Sequence, residues 1–394
     1  MTTRLRSGDP EVVAMATPLV SRAARLAEAW VAEGHTSGLV VLVARRGVVV
    51  THEAFGRLSP ETDAPALPRD ALFPIASITK PITATAVMCL VEDGLVGLNR
   101  PVQEYVPEFV GAGKEHVTVR HLLTHTSGVE EAAVQQHGGQ KLRPLSVSPA
   151  ENQHPAIAEY LFLGYDAPLS QPPGVRMRYS NYAYELLGDI VRRVSGKALA
   201  DFAAERIFRP LEMVDTYFVV PGPLQCRVAR RRPAEQADPT AYAGRFETRE
   251  FEETPWAASG AFSTAMDMAV FGQLFLQRGT VGGVRVLGPA TVAAMTTNQI
   301  PGVGLEFDDE HFAEASWGLG WSVHGSRNAR RGGSLYSAQA FEHNGAGGTY
   351  LWVDPTYELV GVYFSLLLTA APGLNAAWHA DLFSNVVTAA ILDE

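Results

Sequence analysis

The sequence predicts an α+β fold in which a sheet assembled from both ends of the chain carries an inserted, mainly helical lobe. Three observations predict it. Two β-rich runs, 38–45 and 48–55, lie near the start, and two more, 350–353 and 359–365, lie near the end. Between them apolar residues recur at helical spacing. The 394 residues, 46% hydrophobic and 19% charged, suffice for one large domain or two intimate ones. A sheet built from the two ends leaves the middle of the chain as a lobe. The expected division is 1–80 with 250–394 around the sheet, and 81–249 as the helical part.

The elements follow in order. Residues 11–33 carry apolar side chains at helical spacing, from Val12 to Trp30, and Gly34 supplies a stop. The runs 38–45 and 48–55 read as a hairpin around Arg46-Gly47. Leu39 to Val43 is apolar throughout, so that strand is expected to be covered on both faces. A helix apolar nearly all round runs from about Ile78 to Glu92, and such a helix belongs at the centre of a fold. A short helix is expected over 119–127 and a long polar loop over 130–155. Helices then follow at 182–194 and 198–209, and 221–256 reads as an irregular crossing. Thr264 caps a helix over 265–278. Polar loops, 301–316 and 324–340, flank Trp317-Gly318-Leu319-Gly320-Trp321. Phe341 to Gly348 opens the last two strands, and a helix closes the chain over about 374–392.

Composition excludes several classes. A net charge of −10 and no long basic stripe give nucleic acid nothing to bind. The longest basic run, Arg230-Arg231-Arg232, reads as a solvated loop or strand edge. Two cysteines, Cys89 and Cys226, make no disulfide framework and no zinc spacing. His121 and His125 stand four apart, but Leu122 occupies the place where a zincin needs glutamate, so capping or core roles are expected and no metal. No apolar stretch is long enough to span a bilayer, and no cofactor is expected. The first ten residues lack an apolar export segment, so a cytoplasmic location is expected; a trimmed secreted protein would read the same way.

The chemistry centres on Ser77-Ile78-Thr79-Lys80-Pro81. On a helix, residues three apart share a face, so the Lys80 amine would lie beside the Ser77 hydroxyl. An amine relieved of its proton by burial can take the hydroxyl proton and leave an alkoxide nucleophile. Pro81 fits a first helical turn. Taken alone, the spacing is better explained by an N-cap serine with a solvated lysine, and the rest of the chain changes that. Tyr179-Ser180-Asn181 is a polar triplet at a helix entrance, where an Asn cap beside a packed Tyr is the alternative.

Three motifs in order resemble those of a serine hydrolase superfamily, the β-lactamase/transpeptidase-like proteins. It includes class C β-lactamases, D-alanyl-D-alanine peptidases and family VIII carboxylesterases. They are Ser77-Ile78-Thr79-Lys80, Tyr179-Ser180-Asn181 and His343-Asn344-Gly345, supported by Leu122–Gly128, Pro210–Met213, Trp317–Trp321 and Gly347–Tyr350. The resemblance covers about residues 18–390. It implies an antiparallel sheet flanked by helices, an all-helical lobe, and a site between them. It further implies that Ser77 attacks an acyl carbonyl, that Lys80 and Tyr179 share the proton transfers, and that Asn181 holds Lys80 or the substrate. The oxyanion would sit between the backbone N–H groups of Ser77 and Ala346, next to Gly345.

Most β-lactamases carry lysine where this chain has His343, a weaker anchor for a carboxylate. The expected activity is therefore hydrolysis of small esters through an acyl-serine. A β-lactamase or D-amino-acid peptidase, an acyltransferase using the same serine, and a non-catalytic scaffold are the alternatives. The expected partner is a small-molecule ester or amide, with no nucleic acid and no membrane. The sequence leaves the oligomeric state open.

Overall fold

Strand side chains alternate between two faces, and here both faces find a helical layer. The computed structural model describes residues 5–141, 148–231, 248–307, 310–325, 332–367 and 379–393. Among them the main sheet has seven strands: β1 (Arg6–Ser7), β2 (Gly38–Arg45), β3 (Val48–Gly56), β4 (Ser322–Val323), β5 (Phe341–Gly345), β6 (Thr349–Asp354) and β7 (Leu359–Ser365). Their order is β1-β3-β2-β7-β6-β5-β4. All pairs are antiparallel except the two-residue edge strand β1, which runs parallel to β3. The sheet is thus mixed, a small departure from the antiparallel expectation. β2 and β7, from opposite ends of the chain, are neighbours, pairing Leu39 with Ser365 through to Arg45 with Leu359.

Leu39, Val41 and Val43 face helices α1 (Thr17–Ala32) and α5 (Ala380–Ala389). Val40, Leu42 and Ala44 face the opposite layer, where α2 (Thr79–Glu92) and α4 (Ala265–Leu276) lie. That alternation explains an unbroken apolar strand. The second core continues through α2 into the helices beyond it, including α3 (Asn181–Ser195). α2 is buried from Thr79 to Leu90, as a helix without a polar face must be.

Several expectations need correcting. The helix over 11–33 is broken: a short turn, Pro10–Val13, ends at Ala14 in the left-handed region (φ 52°), and α1 begins at Thr17. The break lets buried Arg45 donate to the carbonyls of Val13 (2.7 Å) and Ala14 (3.0 Å). The loop over 130–155 contains a helix, Glu131–Gln140, and Pro155–Gly164, begun by Pro155 and capped by the His154 side chain, adds another. The 301–316 loop holds a small hairpin, Leu305–Phe307 with Glu310–Phe312. The third motif lies on strand β5 itself and does not merely precede the strands. The closing helix is shorter than expected, with 368–378 outside the described residues. No helix among the described residues is long and apolar enough to cross a membrane.

Candidate active site

α2 is entered through a strained turn. A short strand, Phe73–Pro74, pairs with Phe262–Ser263 and delivers the chain to Ala76, which is held at φ 46°. A left-handed alanine is uncommon and persists where its surroundings over-determine it. Ser77 follows, half-buried, and α2 starts two residues later. Lys80, the second residue of α2, is fully buried.

The Lys80 ammonium reaches three neutral oxygens: Ser77 Oγ at 3.2 Å, Asn181 Oδ1 at 2.8 Å and the Ala258 carbonyl at 2.9 Å. Burial pushes its pKa down to about 7, against the smaller opposing pull of Glu185 and Glu131. Three acceptors fix an amine with three donors, and the low pKa makes its proton easy to lose near neutrality.

Ser180, not Asn181, caps α3, its Oγ accepting from Ala183 N. Asn181 is thereby left free to bond Lys80. The Tyr179 ring lies with its centroid 4.6 Å from Lys80 Nζ. His125 grips the same stretch from behind. Its carbonyl accepts from Arg178 N (2.8 Å), its Nδ1 accepts from Ser180 N (3.1 Å), and its ring stacks on Tyr179 at 4.3 Å. Burial, and then the neighbouring Lys80, hold His125 well below its usual pKa, so it stays neutral. His121, four residues earlier, completes a capping box with Thr118, one of the roles expected for these histidines.

Strand β5 supplies the other wall. His343 is 2% exposed, and its Nδ1–H donates to the Asn344 carbonyl at 2.9 Å. Burial, followed by Lys80, pushes its pKa down to about 3. Gly345 is needed for close approach: a Cβ there would stand 2.3 Å from the Ile75 carbonyl, two residues before Ser77. Ser77, Asn181 and the Tyr179 ring therefore gather around Lys80, and the His343 ring lies 6.4 Å from that of Tyr179. Ser77, Tyr179, Asn181 and Ala346 are half-buried, whereas Lys80 and His343 are buried.

Arg231 corrects the sequence reading most sharply. It is 4% exposed, not solvated. Its guanidinium donates to the carbonyls of Pro74 (3.3 Å), Ala346 (3.1 Å) and Gly347 (3.1 Å). One planar fork thus ties the approach to Ser77 to the turn after β5, a geometry lysine cannot copy. Arg231→Met is expected to strip these carbonyls of their side-chain donor, leaving Gly347 O with only Leu367 N (3.1 Å), and to cost about 2 kcal/mol of stability. It should also lower kcat by roughly 10- to 100-fold with little change in KM, because the walls would lose their register. Thermal melting and steady-state kinetics check both.

Residues 23–384 match the family model described as Beta-lactamase. A Mycobacterium tuberculosis protein is 29% identical over 390 residues, 89% of this chain and 90% of that one. The esterase EstB of Burkholderia gladioli is 35% identical over 221 residues, 55% of this chain and 56% of its own. A solved family VIII carboxylesterase superposes with a TM-score of 0.73 at 22% identity, covering 95% of this chain and 98% of that one; at that identity the likeness is one of fold.

Proposed function

The chain belongs to the Beta-lactamase family of serine hydrolases, and from that premise we infer that it hydrolyses small carboxylic esters through an acyl-serine intermediate. The reading is carried by one observation: a buried amine with a pKa near 7, 3.2 Å from a reachable serine hydroxyl. Lys80, coupled to Tyr179, takes the Ser77 proton as Oγ bonds to the acyl carbon. The carbonyl oxygen becomes an oxyanion, met by the backbone N–H groups of Ser77 and Ala346. As the tetrahedral species collapses, the carbon–alkoxide bond breaks and Tyr179 passes a proton to the leaving alkoxide. Water, deprotonated by the same pair, then releases the acid and restores Ser77.

His343 favours esters over β-lactams and C-terminal peptides. Buried and neutral, it offers no cation to a substrate carboxylate. Loss of a charge-assisted anchor is worth roughly 1.5–3 kcal/mol, about 10- to 100-fold in rate. Short p-nitrophenyl esters are therefore expected to turn over at least about 10-fold faster than nitrocefin, measured by kcat/KM on the same protein. Ester kcat/KM should rise as pH passes through about 7, where Lys80 sheds its proton. The reverse preference would make this a penicillin-recognising enzyme, and turnover of neither would remove the hydrolase reading.

A further inference from the structure

Behind Lys80, away from Ser77, lies a buried carboxylate that the three motifs do not include. Glu185 stands one turn after Asn181 on α3 and is 2% exposed. Its oxygens accept from two successive backbone N–H groups, Ala257 (3.1 Å) and Ala258 (2.9 Å). The carbonyls of the same two residues face α2: Ala257 O accepts from Thr83 Oγ1 (2.7 Å) and Ala258 O from Lys80 Nζ (2.9 Å). The segment is thus held on one side by Glu185 and on the other by the helix that carries the serine and lysine. α3 approaches it closely at Gly188, where a Cβ would meet the Ala257 methyl at 2.6 Å. A carboxylate is costly to bury, and a structural anchor for two N–H groups does not require a charge. This one is buried beside an amine whose proton count decides its chemistry.

We propose that Glu185 is a positioning residue for Lys80: through the Ala257–Ala258 peptides it aims the amine at Ser77, and through its charge it controls the fraction of that amine carrying a proton. The proposal deepens the hydrolase reading and rests on Lys80 taking the serine proton. The other ionisable groups facing Lys80 are Tyr179 and Tyr184 from the α3 entrance, His125 and His343, and Glu131 from the Glu131–Gln140 helix. Both histidines are held neutral by burial. Glu131 is engaged by Tyr160 Oη and by Tyr182 N, and its pull on Lys80 is smaller than that of Glu185. Glu185 itself faces Lys80, Glu131 and Tyr160. Asp189, one turn further on, is paired with Arg192 and Arg193. Burial pushes the Glu185 carboxyl up to about 7, with the two N–H donors and Lys80 pulling it down. The pair therefore titrates together in the range where the enzyme would operate.

The test is the pH dependence of kcat/KM on a short p-nitrophenyl ester for Glu185→Gln, which keeps the size and removes the charge. An anion that favours the ammonium form is lost, so the acid limb is expected to move to lower pH by about one unit. A limb that stays in place or moves up, in a variant that still folds, overturns the proposal. A second measurement covers a variant that fails to fold. The infrared band of the buried carboxylic acid is titrated in the wild-type protein and in Lys80→Met. Loss of the cation should displace that titration to higher pH by a similar amount, and identical titrations overturn the proposal. This second readout needs no turnover, so a protein without esterase activity would contradict the hydrolase reading and still decide the coupling.

Discussion

Ser77→Ala is expected to lower ester turnover by at least roughly 10⁴-fold, because a whole reaction path is lost and not one contact. Its melting temperature should stay within about 2 °C of wild type, as for a half-buried substitution that leaves no buried group unpaired. The hydroxyl makes its one described contact with Lys80, which keeps two other acceptors. The strained Ala76 turn is held by other bonds: Thr79 Oγ1 donates to the Ala76 carbonyl at 2.6 Å, and Ile75 N donates to Ala261 O at 3.0 Å. The separation between lost rate and retained stability distinguishes a nucleophile from a structural serine. Parallel kinetics and calorimetry read it.

Lys80→Met is expected to cost roughly 10³-fold in ester kcat/KM, the usual worth of a general base. It should also change how stability depends on pH. Lys80 is held below its unfolded pKa of 10.5, at about 7 in the folded protein. Between those values the unfolded chain binds the extra proton, so wild-type stability rises as pH climbs from about 7 towards 10. Below 7 both states carry the proton, and the buried charge destabilises the fold by its full amount. Methionine removes this slope. Glu185 adds to the contrast, because without the lysine its carboxyl resists ionisation further and the variant loses stability as pH rises. Denaturant melts at pH 6 and pH 9 should therefore show wild type gaining on the variant; equal changes would mean that Lys80 is not desolvated.

The sheet and the site were legible in the sequence to different depths. Strands at both ends announced themselves because a strand covered on two faces reads as an apolar run, as Leu39 to Val43 does. α2 was legible for the same reason. Ser77 and Lys80 could be paired from helical spacing. Their meeting with Tyr179, Asn181 and His343 comes from contacts more than 90 residues apart, which local pattern does not encode, and it entered only as an implication of the family resemblance. The supporting residues were harder. Arg231 sits in a run of three arginines that composition assigns to solvent, and only the fold reveals the carbonyls that it ties together. Glu185 stands among the apolar residues of α3, a charge on a buried face, and that mismatch was the available signal. His125 followed a helical pattern, yet it lies beyond the helix end at φ 57°, where its ring can turn onto Tyr179.

The most direct measurement is the intact mass of the protein after brief exposure to activated esters, followed by peptide mapping. A stable increment equal to the acyl group, carried on the peptide containing Ser77 and missing from Ser77→Ala, is the predicted result. An increment on any other residue, or turnover that persists in Ser77→Ala, would contradict an account in which this one hydroxyl carries the acyl group.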